Sequence, residues 1–165
     1  MPGIVTSLWF DSQAVEAARY YCSIFPNSTI TSDLADPGSG HGSAGDVVTV
    51  DFVLDGRAFN AINGGPMFTF TEAVSLLVPC GDQQEVDHYW SALTADGGEE
   101  SQCGWLKDKY GLSWQIVPTE LSDLLGDPDR ARADRAMRAM LEMRKIDIAT
   151  VRAAAHGGED PRAGT

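Results

Sequence analysis

Two carboxamides and one carboxylate are the side chains whose spacing in this sequence best fits a chemical role. Gln115 lies in Cys103–Pro118 (CGWLKDKYGLSWQIVP), where Leu112, Trp114 and Ile116 alternate with Ser113, Gln115 and Val117. A period of two puts the apolar set on one face of a strand and Gln115 on the other. Asn60 occupies the same frame in Asp55–Ile62 (DGRAFNAI). Gly56 and Gly111 fall in a turn, Phe59 and Trp114 three residues later, Asn60 and Gln115 four later. Such carboxamides serve a polar ligand, or they bond each other or water inside a polar cavity. Asp51 sits in Val47–Leu54, where Val48, Val50, Phe52 and Leu54 face one way and Thr49 and Asp51 the other. A carboxylate there is a candidate general base; its other reading is a partner for a nearby Lys or Arg. Trp9 and Trp105 are candidate walls for a flat or apolar ligand, and core packing accounts for them equally. Cys103 acts as a nucleophile only if its thiolate is stabilised; the alternative is a buried, inert thiol. His41, His88 and His156 are dispersed over a Gly-rich loop, a helix and the tail.

The elements that position these residues repeat. Ile4–Phe10 reads as a strand, and Asp11 or Ser12 as the cap of a helix from about Ala14 to Phe25. Val15, Ala18, Tyr21, Cys22 and Phe25 form its core stripe. Ser28–Leu34 and Val47–Leu54 read as strands, separated by the loop Pro37–Gly45. That loop lacks the Gly-Lys-Ser/Thr of a phosphate loop. Asp55-Gly56 predicts a tight hairpin into Arg57–Ile62. The pattern then restarts. Glu72–Val78 reads as a strand and Asp82 as the cap of a helix to about Ala95, with Val86, Tyr89, Trp90 and Leu93 inward. Glu99–Gln102, Gly104–Tyr110 and Leu112–Val117 are the remaining strands. Each half is thus strand, helix, three strands. Beyond Pro118 the chain turns helical: Thr119–Leu125, a helix started by Asp127-Pro128 carrying Ala133, Ala136, Met137, Met140 and Leu141, and a last one marked by Ile146, Ile148, Ala149 and Val151. The predicted organisation is modules at about 1–66 and 67–118 forming one domain, helices over 119–156 and a disordered tail over 157–165.

Composition narrows the function classes. The net charge of −12 argues against nucleic acid, because phosphate binding needs a basic surface. No apolar run reaches the roughly 20 residues of a membrane span, and the N-terminus lacks a signal-peptide layout. Cys22, Cys80 and Cys103 are scattered, as expected of reduced thiols in a cytoplasm. Residues 1–129 hold 19 acids and 4 bases, whereas 130–152 hold 7 bases and 3 acids. A basic segment on an acidic body suggests docking; a solvated Arg-rich helix face is the alternative.

A duplicated βαβββ unit carrying LWFDSQAVEAARYY (8–21), NGGPMFTFTEAVS (63–75), DQQEVDHYW (82–90), CGWLKDKYGLSWQIVP (103–118) and AMLEMRKIDIA (139–149) resembles the vicinal-oxygen-chelate superfamily. Within this glyoxalase and bleomycin-resistance fold, it is most similar to the PhnB-like, 3-demethylubiquinone-9 3-methyltransferase-like proteins. The resemblance implies an α+β fold of paired curved sheets with a cavity on their concave face. Trp9, Asn60, Asn63, Ser75, Trp105 and Gln115 are its expected ligand-binding residues, and Asp51 its catalytic candidate. It also implies a homodimer. Metal-dependent members take ligands from the first and fourth strands of each module, positions that map here to Ser7, Asn60, Ser75 and Gln115. That set lacks carboxylate and imidazole and binds divalent transition metals weakly, so no metal or other cofactor is expected. Methyl transfer from S-adenosylmethionine normally uses a Gly-rich turn from strand to helix, which the sequence lacks. Two functions follow: a small-molecule binder without catalysis, or a lyase-, isomerase- or dioxygenase-type enzyme acting on a small oxygenated substrate.

Overall fold

The computed structural model describes residues 3–36 and 45–157. His41, most of the glycine-rich loop and the tail beyond Gly157 lie outside the described residues. The chain divides into two compact units, residues 1–70 and 71–165.

The first unit runs β1 (Thr6–Phe10), α1 (Ala14–Ile24), β2 (Thr29–Ala35), β3 (Val47–Leu54) and β4 (Arg57–Asn63). Its sheet has the order β1-β4-β3-β2, with β1 parallel to β4 and the other pairs antiparallel. Strand parity explains the core. Leu8 and Phe10 of β1, Val50, Phe52 and Leu54 of β3, and Phe59 and Ala61 of β4 are all buried. They meet Ala14, Ala17, Ala18 and Tyr21 of α1. Phe52 stacks on Phe59 at 5.4 Å and lies 6.4 Å from the Tyr21 ring. Losing one such ring costs about 3–5 kcal/mol. The stripe on α1 is rotated from the expected one: small alanines let the helix lie close, while Val15 and Cys22 are only half-buried. The β3–β4 hairpin closes through Asp55 and Gly56, both at positive φ (43° and 79°), as a two-residue turn requires.

The second unit repeats this plan as β5 (Ser75–Cys80), α2 (Gln83–Thr94), β6 (Glu99–Glu100), β7 (Trp105–Lys107) and β8 (Ser113–Pro118). The sheet order is β5-β8-β7-β6, again with the first strand parallel to the last. Asp82 caps α2 as expected, accepting from the Glu85 N–H at 2.9 Å. The buried set is Leu76, Cys80, Val86, Trp90, Leu93, Leu106, Leu112, Trp114 and Ile116. Three expected strands are shorter, β6 among them, which ends at Glu100 rather than Gln102. β5 begins at Ser75 rather than Glu72, because β8 offers a partner only from Ser113 onward. β7 stops at Lys107, because Asp108 turns the chain there.

Three helices follow: α3 (Glu120–Leu125), α4 (Arg130–Leu141) and α5 (Ile148–Ala155). Asp129 caps α4, accepting from the Ala131 and Arg132 amides. The expected cap, Asp127, instead accepts from the Asp129 N–H, so Pro128 precedes the cap. Ala136, Met143, Ile146, Ile148, Val151 and Leu121 form a second buried cluster, with Ala139 and Met140 packed against it. The expected Met stripe is therefore split. Met140 faces inward, whereas Met137 and Leu141 are exposed. The cluster is pinned to the hairpin: Cys103 and Gly104 donate their amides to the carbonyls of Met143 and Arg144 at 2.8 and 2.7 Å. Gly104 has φ 83°, and a Cβ there would lie 2.7 Å from the Ile116 carbonyl, so glycine is required.

Candidate functional sites on the open sheet faces

In the first unit the face opposite α1 carries an unbroken hydrogen-bonded row across all four strands. Ser7 of β1 lies opposite Asn60 of β4, Asn60 opposite Asp51 of β3, and Asp51 opposite Ser32 of β2. The Ser7 hydroxyl donates to Asn60 Oδ1 at 3.0 Å. Asn60 Nδ2 donates to Asp51 Oδ1 at 2.7 Å, and the Ser32 hydroxyl donates to Asp51 Oδ2 at 2.8 Å. Both carboxylate oxygens are thus engaged. The hydrogen bond from Asn60, then that from Ser32, holds Asp51 below its ordinary carboxylate range. A general base working near neutrality needs the opposite shift, so the row favours an ionised anchor over a proton acceptor. The alternative considered from sequence, a Lys or Arg partner, is replaced by an amide and a hydroxyl.

Two other residues expected on this face support the scaffold. Asn63 Oδ1 accepts from the Ala14 N–H at 2.8 Å and its Nδ2 donates to the Val47 carbonyl at 2.9 Å. It therefore caps α1, a role expected of Asp11 or Ser12; the backbone cap residue, Gln13, makes no side-chain cap. Trp9 donates its indole N–H to the Gly65 carbonyl at 2.9 Å and meets Phe68 edge-on at 5.1 Å. A Cβ on Gly64 would lie 2.2 Å from the Trp9 ring, so the indole packs directly on that backbone.

The second unit departs from the first at the corresponding positions. Gln115 donates to the Ser75 hydroxyl at 2.8 Å. The register, however, places Leu77 rather than Ser75 opposite Gln115. Ser75 faces Ser113, one pair further along, and the longer glutamine reaches it. Ser75 is thus not the strict repeat of Ser7. On the other side Trp105 lies opposite Gln115, where the first unit has Asp51. Trp105 is half-buried and Leu77 is 56% exposed. Lys107 of β7, opposite Ser113, reaches Glu72 at 2.6 Å.

Sequence reasoning missed three residues of consequence. Asp108 is buried, and its carboxylate accepts from the Tyr110 and Leu112 amides and from the Trp114 indole at 2.9, 3.1 and 2.8 Å. An Asp opening a turn that ends in Gly111 is an Asx-turn signal and was available. Ser32 carried no signal, because β2 has register shifts that period counting does not reveal. Ser113 looked like one more polar residue of an alternating strand, yet it is 1% exposed.

The remaining candidates are distant from these rows. Burial pushes the Cys80 thiol up to about 12. Cys103 packs its backbone against Met143. His88 is exposed on α2 and His156 caps the end of α5. Among the described residues no three His, Cys, Asp or Glu side chains are grouped to hold a metal. A separate cavity of about 430 Å³ lies between α2 and the turn after α4. Its two cations are paired within it, Lys145 with Asp87 and Arg144 with Glu100.

A family profile for 3-demethylubiquinone-9 3-methyltransferase matches residues 2–117. The chain belongs to that family. A PhnB protein from Bacillus cereus, described by the same methyltransferase name, is 36% identical with a TM-score of 0.64, over 71% of this chain and 99% of its own. Protein PA1353 from Pseudomonas aeruginosa matches at 19% identity and a TM-score of 0.58, over 72% and 98%. A mutant of the fosfomycin resistance protein FosX from Listeria monocytogenes, complexed with Mn(II) and a dihydroxypropylphosphonic acid, matches at 14% identity and 0.51, over 71% and 92%. No curated protein sequence matches. This PhnB-like chain has the α+β vicinal-oxygen-chelate fold, and α3–α5 lie beyond the part that the family profile covers.

Proposed function

We propose that this PhnB-like chain binds a small organic molecule on the open faces of its sheets, without a strongly bound metal. The donor chemistry carries the reading. By resemblance to metal-dependent members of the fold, the metal-ligand positions map to Ser7, Asn60, Ser75 and Gln115, although the register puts Leu77 rather than Ser75 opposite Gln115. They are neutral and hydrogen-bond one another in pairs. Neutral hydroxyls and carboxamides are poor ligands for transition metals, so this set does not fit such an ion. In the second unit Ser75, Gln115 and Trp105 are offered to a ligand, and in the first unit Asn60 lies beside Asp51, a fixed negative charge. A lyase-, isomerase- or dioxygenase-type activity ranks second, since its one candidate base is the hydrogen-bonded Asp51. The family's name does not decide for methyl transfer. β1 enters α1 through Asp11-Ser12-Gln13 without a glycine, and both sheets are mixed rather than doubly wound.

We place the chain in the cytoplasm, on three free cysteines and the absence, among the described residues, of a helix long and apolar enough to cross a membrane. We also propose a homodimer to which α4 contributes. Met137 and Leu141 are exposed on a helix with exposed arginines, in a chain of net charge −12. A thermal-shift screen of metals and metabolites on the purified chain, with elemental analysis, tests the binding reading. Organic ligands should raise Tm, and Zn, Ni, Mn or Fe should be far below one equivalent. Stoichiometric metal that is lost on Gln115→Ala would overturn it.

A further inference from the structure

We propose that the second unit recognises the anionic head group of a small organic acid through a row of donors centred on Ser113; this rests on the small-molecule reading above and specifies its chemistry. Ser75, Ser113 and Lys107 are cross-strand neighbours on β5, β8 and β7 and share one face. Ser113 is 1% exposed, and its hydroxyl has no hydrogen-bond partner among the described residues. A buried hydroxyl without a partner is destabilising and is seldom kept without a use. Its neighbours make the use specific. Ser75 Oγ accepts from Gln115, which leaves the serine proton to donate. Lys107 carries the ammonium of the row and is held by Glu72, a residue just before β5 whose side chain is 63% exposed. The Lys107–Glu72 ion pair therefore joins the two sides of β8, and a ligand carboxylate can take the place of Glu72 as that side chain swings into water. The next row along the same face is Leu77, Gln115 and Trp105. Leucine and tryptophan there suit an apolar or flat body. The two rows together describe an amphipathic acid, its oxygens on two hydroxyls and an ammonium and its body on Leu77 and Trp105.

The test uses the full chain, with phenylacetate, 2-naphthylacetate and octanoate as probes and their primary amides as neutral controls. Binding is read from the Trp105 indole N–H resonance and as Kd by titration calorimetry. At least one acid should shift that resonance, and its amide should bind tenfold or more weakly. Ser113→Ala should weaken the acid about tenfold, as for a hydrogen bond to a charged group. The same substitution should raise the Tm of the free protein, because it removes a desolvated hydroxyl that bonds nothing. Lys107→Gln should weaken acids but not amides. A lowered Tm for Ser113→Ala would show that the hydroxyl serves the fold, and the proposal falls. Amides binding as tightly as acids would overturn the head-group assignment while leaving the small-molecule reading intact. Silence from all three acids would overturn the assignment too, and the metabolite screen would then judge the broader reading separately.

Discussion

Asp51 shows how a single carboxylate is specified by its cross-strand neighbours. With its pKa depressed by Asn60 and Ser32, it contributes stability above the unfolded-state pKa of about 4. That contribution is lost as the pH falls through the lower folded-state value. Carbon-detected NMR titration should find Asp51 below the ordinary carboxylate range in the native chain and restored toward it in Asn60→Ala. An unchanged titration would mean that the row does not hold in solution. Asp108 has a larger role in stability, because it is buried and serves three donors. Asp108→Ala orphans two amides and an indole and should cost about 3 kcal/mol or more in urea unfolding. A loss below 1 kcal/mol would show that water replaces the carboxylate. The pairing of Asn60 with Gln115 could be read from the sequence, since period and turn residues repeat together. The sequence reading also pairs Ser7 with Ser75, and the register corrects it: a one-pair offset puts Leu77 opposite Gln115, and only the length of the glutamine brings it to Ser75.

At the scale of elements, strand faces followed from alternation and helix ends from their caps, wherever the caps were local. α2 behaves this way: Asp82 precedes it and caps it. α1 does not, because its cap arrives from Asn63 at the end of the neighbouring strand β4, a contact 49 residues away in sequence that local reading cannot supply. α4 fails for another reason. Several apolar residues fall at helical spacing, and only packing decides which arc is inward. The arc through Ala136, Ala139, Met140 and Met143 is the one that meets α5 and the turn before it. Met140→Asp should therefore destabilise the chain by about 2 kcal/mol or more, since a carboxylate would be placed without a partner against an apolar cluster. Met137→Asp, on the exposed arc, should leave unfolding within about 0.5 kcal/mol of the parent when both are measured dilute enough to be monomeric. Equal effects in thermal or urea denaturation would refute this division of the helix.

At the scale of the whole molecule, duplication and charge were both open to sequence reading, and the division of labour between copies was not. The two units share topology and differ in what their open faces offer: a carboxylate bonded to its neighbours in one, a tryptophan and a lysine in the other. α4 and α5 add a basic segment outside the family profile. If α4 contributes to a dimer, light scattering at micromolar concentration should give twice the chain mass, and Met137→Asp should shift it toward one. Added salt should weaken the long-range attraction of the basic segment for an acidic body, but leave the Met137 and Leu141 contacts. A monomeric parent chain would end the dimer proposal.

The parallel pairing of first strand with last has a consequence for synthesis. Within each unit the opening strand has no sheet partner until the closing strand has left the ribosome. β1 must wait for Arg57–Asn63, a delay of roughly 50 residues, which at 5–20 residues per second is a few seconds. β5 waits for Ser113–Pro118. The hairpin at Cys103–Gly104 is completed later still in the chain, because the carbonyls that receive its amides belong to Met143 and Arg144. Nascent chains stalled with residues 1–70 outside the tunnel should already yield a protease-resistant fragment. Those stalled with only residues up to 118 exposed should protect the second unit poorly, and full protection there should come only once Arg144 has emerged.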